Sequence, residues 1–128
     1  MKKTLMTILR NPGASIGSIG TRRDKKTAVP ELYHTKLPPF NHDNPILLLD
    51  PMIAALAVKV LKEAGTGEKQ ITLISFIASP DGITRFQKEC PEVGLVVAQV
   101  DEGLDEQKRI IPGLGGFGDR CFGTNNKI

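Results

Sequence analysis

The last part of the chain carries the residues whose types and spacing most clearly indicate binding chemistry. Ile110 to Thr124 reads Ile-Ile-Pro-Gly-Leu-Gly-Gly-Phe-Gly-Asp-Arg-Cys-Phe-Gly-Thr, with Gly113, Gly115, Gly116 and Gly118 within six positions. A backbone with so little side-chain cover can approach a flat ligand closely and bind it through amide and carbonyl groups. This segment predicts a site for a planar ring recognised by the main chain. Composition alone leaves a plain terminal loop equally open.

Three of these glycines, Gly113, Gly115 and Gly118, also match the spacing of dinucleotide-binding loops. That motif has to open a helix inside a strand–helix–strand unit. Only ten residues follow Gly118, and their sequence predicts no helix. We therefore reject a dinucleotide site.

A single acid forms the second candidate. The apolar run from Ile46 to Leu49 ends at Asp50, and a carboxylate at the end of a buried strand can face ribose hydroxyls or a metal. The local sequence favours another interpretation, in which Asp50 caps a helix and Pro51 is its first residue.

A basic turn, Arg22 to Lys26, is the third candidate. Arg23 could bind a phosphate with its forked guanidinium group, although a charged turn that faces water is the more common arrangement. His34 and His42 lack metal-ligand spacing and are expected at the surface. No serine or cysteine has an evident activating base, so a nucleophilic triad is not predicted.

The elements that must position these residues alternate along the middle of the chain. Apolar runs without polar alternation predict parallel strands buried on both faces, and helical spacing ending at Gly65 predicts a helix between the first two. This order is typical of an α/β fold with a parallel sheet and right-handed crossovers. The predicted strands cover residues 46–49, 71–78 and 94–100, and the predicted helices cover residues 53–64 and 82–90.

Extended segments precede this core. Residues 15–20 and 29–35 predict a hairpin, and residues 4–9 could form one more strand. Ligands of open parallel sheets bind beyond the carboxyl ends of the strands. Asp50, the segment Ser79 to Asp81, and Asp101 all follow predicted strands, so the site is expected at that edge.

Bulk properties fit one small domain. The chain has 128 residues, 40% hydrophobic and 24% charged, with a net charge of +3 that is too small to indicate nucleic-acid binding. The first ten residues resemble a secretory signal only faintly, and no segment approaches membrane-spanning length. Cys90 and Cys121 show no metal spacing, so we expect a reduced, cytoplasmic protein, although sequence does not exclude a disulfide.

Several segments together resemble uracil phosphoribosyltransferases, in the family's order and from about residue 15 to residue 124. The resemblance implies a type I phosphoribosyltransferase fold: an α/β parallel-sheet core with a β-hairpin, incomplete at the N-terminus, in which residues 1–128 form a single partial domain. The matching segments are Gly20–Asp24, Leu48–Met52, Ala78–Ile83, Val100–Leu104, Ile111–Gly115, Gly118–Arg120 and Phe122–Thr124.

The same resemblance implies an activity. Members of the family join uracil to phosphoribosyl pyrophosphate (PRPP), giving UMP and pyrophosphate in pyrimidine salvage, with Mg²⁺ accompanying PRPP. It also implies a homodimer or higher oligomer, with no nucleic-acid or membrane partner.

Site residues follow from the resemblance as well. Asp50 would hold the ribose hydroxyls and is the residue assigned to catalysis, and no residue is assigned to a metal. The PRPP-binding residues would be Arg10, Arg23, Asp50, Pro51, Met52, Ile53 and Ala54. The uracil-binding residues would be Ile110, Gly115, Gly116 and Phe117.

The sequence departs from the family in two places. After Ala54 the family continues Thr-Gly-Gly, a loop whose amides wrap the ribose 5-phosphate, and this chain lacks it. In the tail, Gly116 replaces an acid that contacts PRPP, and Phe117 replaces a small residue beside the base. Two hypotheses remain open: an enzyme, or a catalytically inactive remnant or subunit-type binding protein of the same family.

Overall fold

Strands and helices alternate in the computed structural model, which describes residues 4–8, 15–24, 26–27, 29–40, 43–53 and 55–124. The predicted site residues Arg10 and Ala54, and also His42, lie outside these ranges. A short 3-10 turn, Glu68–Gln70, precedes the fifth strand. The elements are β1 Thr4–Ile8, β2 Ser18–Arg23, β3 Pro30–Lys36, β4 Ile46–Met52, α1 Ala55–Glu63, β5 Ile71–Ala78, α2 Pro80–Glu89, β6 Gly94–Val100, β7 Gly103–Leu104, β8 Ile110–Ile111 and α3 Phe117–Phe122.

Six strands form one mixed sheet in the order β3-β2-β1-β4-β5-β6. β4, β5 and β6 are parallel, whereas β1 runs antiparallel to both β2 and β4. β2 and β3 form the predicted hairpin. Strands β7 and β8 make a separate two-stranded ladder. These features confirm an α/β fold with a parallel core and an antiparallel hairpin.

The core lies between the parallel strands and the two longer helices. Leu48 of β4 and Leu73 of β5 are fully buried. They belong to the same hydrophobic cluster as Leu61 of α1 and Phe86 of α2. Because both strand–helix–strand units step across the sheet in the same direction, their helices cover the same face. Burying each of these side chains contributes roughly 1.5–3 kcal/mol.

The opposite face of the parallel strands is only partly covered. Phe76 on β5 is 53% exposed, and Val96 and Val100 on β6 are 51% and 53% exposed. The expectation of burial on both faces is therefore wrong for β6 and for Phe76 of β5, whereas every residue of β4 is at least partly buried. β6 is the last strand of the described sheet and pairs on one side with β5.

Both predicted helices are present. At the end of α1, Gly65 adopts φ +98° and the Thr66 amide donates to the Leu61 carbonyl, which confirms the predicted stop. α2 begins at Pro80, two residues before its predicted start, and the Ser79 hydroxyl accepts a hydrogen bond from the Gly82 amide at 3.1 Å.

The interpretation of Asp50 as a helix cap is wrong. β4 continues through Asp50 to Met52, and α1 begins only at Ala55. The strand register joins Asp50 to Ser75 and Met52 to Ile77, and it passes over Pro51. A proline is tolerated in a strand where no ladder hydrogen bond needs its missing amide proton.

Candidate functional site

Asp50 is a buried acid near the C-terminal end of β4, at the edge of the sheet where the sequence predicts a ligand. Its side chain is 2% exposed, Oδ1 accepts a hydrogen bond from the Met52 amide at 3.4 Å, and Oδ2 has no partner among the residues that the structure describes. Burial raises the pKa of this carboxyl from 3.8 to about 7, and the Met52 amide offsets only part of that effect. A buried oxygen without a partner is unfavourable, so a ligand hydroxyl could supply the missing hydrogen bond.

The neighbouring strand does not supply that bond. Ser75 lies opposite Asp50 in the register, but its hydroxyl donates to the carbonyl of Ile77 at 3.1 Å. Among the described side chains none hydrogen-bonds the Asp50 carboxylate, so its position is set by β4 and by the Met52 amide.

The connection from β4 to α1 is short. Only residues 53 and 54 separate the two elements, and no glycine occurs between Asp50 and Ala64. A phosphate-binding nest needs several amides converging on one anion, a geometry that usually relies on glycine. This connection lacks the residues from which such a nest is usually built.

The second candidate region begins with a small hairpin. β7 and β8 pair Gly103 with Ile111 and Leu104 with Ile110. Asp105 closes its turn, because its carboxylate accepts hydrogen bonds from the amides of residues 107 and 109 at 2.9 and 2.8 Å. The same carboxylate also accepts one from the Arg109 guanidinium group at 2.7 Å. The hairpin is thus stabilised independently at its tip.

A second acid lies where the hairpin meets the sheet. Asp101 is 6% exposed, Oδ1 accepts from the Gln99 side-chain amide at 2.9 Å, and Oδ2 accepts from the Gly113 backbone amide at 2.8 Å. Its own backbone amide donates to the Ala78 carbonyl at 2.8 Å. Asp101 therefore ties the tail directly to the ends of β5 and β6.

The tail then turns tightly through two glycines with left-handed backbone. Gly113 and Gly115 both have φ +66°. An added Cβ on Gly113 would collide with the carbonyl oxygen of Ile110, whereas one on Gly115 would meet nothing within 4 Å. Gly113 is required by packing, and the backbone of Gly115 borders open space that a ligand could enter.

A short helix anchors the end of this loop. The Arg120 guanidinium group donates to the Leu114 carbonyl at 2.9 Å, and the Phe117 ring lies 5.7 Å from the Phe76 ring at an angle of 46°. The expectation that no helix follows the glycines is wrong, because α3 covers Phe117–Phe122. Its six residues are held by these tertiary contacts, and no strand follows it in the described chain, so the dinucleotide interpretation still fails.

Most of the described site residues that the sequence predicted fall into two groups, and Arg23 lies apart from both. Asp50, Pro51, Met52 and Ile53 follow one another at the end of β4, whereas the predicted uracil residues lie on β8, the glycine loop and the start of α3. Arg23 ends β2 on the hairpin, beside the Arg22–Glu31 ion pair of 3.0 Å. The bonding of Asp101 is the feature that sequence reasoning missed, and its position directly after a strand was the available signal.

His34 and the cysteines fit simple structural roles. His34 is exposed, as predicted, and its Nε2 lies 3.0 Å from the Ser18 hydroxyl across the hairpin. Cys90 is buried, Cys121 is exposed, and the two are not bonded to each other. Burial raises the pKa of the Cys90 thiol, which makes it a poor nucleophile.

Comparison with known proteins gives a consistent result. The family model "Uracil phosphoribosyltransferase" matches residues 1–124. A uracil phosphoribosyltransferase of Dictyostelium discoideum is 45% identical over 116 residues, which cover 87% of this chain and 54% of that protein. One of Campylobacter concisus is 40% identical over 129 residues, which cover 97% of this chain and 60% of that protein.

A solved structure agrees with these relatives. The AQ2163 protein of Aquifex aeolicus superimposes with a TM-score of 0.74 at 30% identity, covering 87% of this chain and 54% of that one. The chain therefore spans about half the length of the curated relatives it matches.

Proposed function

Because this chain belongs to the uracil phosphoribosyltransferase family, we propose that it joins uracil to PRPP, forming UMP and releasing pyrophosphate. The observation that carries the proposal is the buried Asp50, whose Oδ2 has no partner in the described part of the chain. A ribose hydroxyl donating to that oxygen would satisfy it. We assign Asp50 this role and with it the catalytic position.

The reaction needs no protein nucleophile, because uracil itself attacks the ribose. Positive charge develops on the sugar as pyrophosphate departs, so a carboxylate held beside the ribose lowers the barrier by electrostatic stabilisation. We propose that Pro51, Met52, Ile53 and Ala54 line the path of PRPP. Arg10 and Arg23 would contact its phosphates, since guanidinium groups bind phosphate oxygens in pairs.

The glycine loop is the proposed uracil site. Uracil offers ring N–H donors and carbonyl acceptors, and backbone groups of Ile110, Gly115 and Gly116 can pair with them. Open space beside Gly115 supports this assignment. The Phe117 ring, already packed on Phe76, would provide a flat apolar surface near the base.

The part of the chain that the structure describes does not provide a metal site. No group of three or more His, Cys, Asp or Glu side chains among those residues is placed to hold an ion. We propose that Mg²⁺ arrives bound to the pyrophosphate of PRPP, where it would neutralise charge on the leaving group, and we derive no step of the protein's chemistry through it.

We further propose that residues 1–128 act as one partial phosphoribosyltransferase domain in a homodimer or larger assembly in the cytoplasm. The half-exposed Phe76, Val96 and Val100 support association, because parallel sheets are usually covered on both faces. Light scattering on a sizing column would measure the assembly directly. No helix among the described residues is long and apolar enough to cross a membrane.

One assay tests the proposed function. Purified chain is incubated with labelled uracil, PRPP and Mg²⁺, and UMP is separated and counted. We expect UMP above the protein-free blank, and a loss of about 100-fold in Asp50→Asn, which removes the charge beside the ribose. Asp43→Asn, an exposed acid in a turn, is the matched control and should retain full activity. No UMP from the unaltered chain would sink the proposal and leave the inactive family member as the alternative.

A further inference from the structure

Asp101 is a buried acid to which the proposed reaction gives no task. It carries no phosphate or ribose assignment, yet only 6% of it is exposed and each of its carboxylate oxygens accepts a separate hydrogen bond. Burying a carboxylate is unfavourable unless such bonds compensate for the lost water. A residue of this kind needs a structural or functional reason.

Asp101 makes hydrogen bonds both to the parallel sheet and to the tail. Its backbone amide extends the β5–β6 ladder by donating to the Ala78 carbonyl, and its Oδ2 receives the amide of Gly113. The first contact fixes Asp101 to the rigid parallel sheet. The second contact holds the Gly113 amide, at the first residue of the glycine turn, in a fixed place relative to the sheet.

Gly113 is the point where the direction of the tail is set. Its left-handed backbone is packed against the Ile110 carbonyl, and the open stretch at Gly115 follows two residues later. Moving the Gly113 amide would therefore rotate the backbone groups that follow it. Within the tail, Arg120 holds the same loop twice: its guanidinium group donates to the Leu114 carbonyl, and its backbone amide donates to the Gly116 carbonyl, both at 2.9 Å.

We propose that Asp101 is a positioning residue that fixes the backbone from Gly113 to Gly116 in the orientation that recognises the base. The proposal rests on the proposed function and adds a determinant of uracil recognition that does not itself touch uracil. Loops that bind by main-chain groups cannot be adjusted through rotamers, so their accuracy depends on anchors of this kind.

The hairpin offers a matched control. Asp105 is also an aspartate that accepts backbone amides in the same segment, but it lies at the tip and closes the turn among residues 105–109. Asp105→Ala should loosen that tip and leave the Gly113 amide where it is. Asp101→Ala should leave the tip intact and release Gly113.

A conservative variant supplies the rescue. In Asp101→Asn the amide oxygen can still accept from Gly113, and the amide nitrogen can donate to Gln99 once that side-chain amide turns over. We expect Asp101→Asn to bind uracil within about threefold of the unaltered chain. Asp101→Ala should lose about tenfold or more, the usual effect of removing a hydrogen bond to a charged group.

The experiment measures uracil and PRPP affinities by calorimetry and amide exchange by mass spectrometry, on the full chain and its three variants. We expect Asp101→Ala alone to exchange faster across residues 111–116 and to weaken uracil binding while PRPP affinity stays within twofold. Normal exchange there, or an equal loss for both ligands, would overturn the proposal.

Two further outcomes distinguish a failure of this proposal from a failure of the proposed function. If the unaltered chain binds no uracil, the proposed function fails, and the exchange data alone decide whether Asp101 anchors the loop. If Asp101→Ala does not fold, the Gly113 amide of the unaltered chain decides by NMR exchange. Slow exchange supports the anchor, and exchange at the rate of an unprotected amide overturns it.

Discussion

The base side and the sugar-phosphate side of the proposed site are built differently. On the base side, the Asp101 carboxylate accepts from the Gly113 amide at the start of the glycine loop, and the Arg120 amide donates to the Gly116 carbonyl at its end. On the sugar-phosphate side, Asp50 Oδ2 has no partner from residues 4–8, 15–24, 26–27, 29–40, 43–53 or 55–124, and a connection without glycine leads into α1. The glycine loop is held by bonds within the described chain, whereas the Asp50 oxygen would depend on a ligand for its partner.

Because the two sides differ, the binding of uracil and the binding of PRPP need not be weakened together. Preorganised main-chain groups bind a flat base without a large conformational cost. A phosphate without a nest of amides loses several charge-assisted hydrogen bonds, each contributing roughly 1.5–3 kcal/mol. We therefore expect uracil recognition to be retained better than PRPP recognition, and the following predictions test that separation.

The largest expected effect concerns the ionisation of Asp50. Its native pKa of about 7 lies above the unfolded value of 3.8, so the folded chain binds more protons between these values and stability falls as pH rises from about 4 to about 7. The full effect is about 4 kcal/mol. About 3 kcal/mol of this falls between pH 5 and pH 8, so urea unfolding at these two pH values should show Asp50→Asn gaining that much relative to the unaltered chain at the higher pH. Equal pH dependence in both chains would show that Asp50 is not buried as described.

On the base side, the strongest change is Gly113→Ala. Its Cβ would combine left-handed strain with a collision against the Ile110 carbonyl, costing about 3 kcal/mol. Gly115→Ala has the same φ and open space, so it should cost only about 1 kcal/mol. Thermal unfolding and amide exchange of residues 103–116 compare the two. Equal costs would mean that the loop does not pack on Ile110.

The sugar-phosphate side can be sharpened by an insertion. Placing Thr-Gly-Gly between Ala54 and Ala55 restores the family's pattern, and the new amides should lower the KM for PRPP by about 100-fold. Thr-Ala-Ala at the same point is the control, because it has the same length without the glycines. Steady-state UMP formation measures both. Equal improvement from the two insertions would assign the effect to length and not to an amide nest.

The smallest expected effect separates packing from base contact at Phe117. The pair of rings contributes about 1 kcal/mol, so Phe76→Ala and Phe117→Ala should loosen α3 equally in amide exchange. Uracil affinity should fall about threefold further in Phe117→Ala, since only Phe117 is proposed beside the base. Matching affinities in the two variants would remove Phe117 from the uracil site.

Much of the fold could be predicted from local sequence. The apolar run of β5 and the Ser79-Pro80 start of α2 carry their own signals, an uninterrupted hydrophobic strand and a capped helix. The end of α1 at Gly65 is equally local, because a left-handed stop favours glycine. Each of these elements occurs within two residues of its predicted position.

The failures have tertiary causes. Asp50-Pro51 has the local sequence of a helix start, and pairing of β4 with β5 overrides it. The short α3 is held by Arg120 and Phe117, which contact residues that no local pattern connects. The apolar run of β6 predicts burial, but a run of this kind does not reveal what covers each face.

The site was predicted unevenly for the same reason. Asp50 and the glycine loop have recognisable sequence patterns. The bond from the Asp101 carboxylate to the Gly113 amide joins residues twelve positions apart, and only the folded hairpin brings them together. Because the donor is a backbone amide, the identity of the donor residue does not reveal the hydrogen bond, and sequence alone could not assign it.

The separation between the two sides is tested most directly by steady-state UMP formation, with each substrate varied in turn. The Dictyostelium discoideum relative, assayed alongside, gives the reference values. We expect the KM for uracil to lie within about fivefold of the relative's value and the KM for PRPP to be raised by about 100-fold or more. Equal increases in KM for both substrates, or a larger increase for uracil, would contradict the account in which the base side is held by the chain and the phosphate side lacks its amide nest.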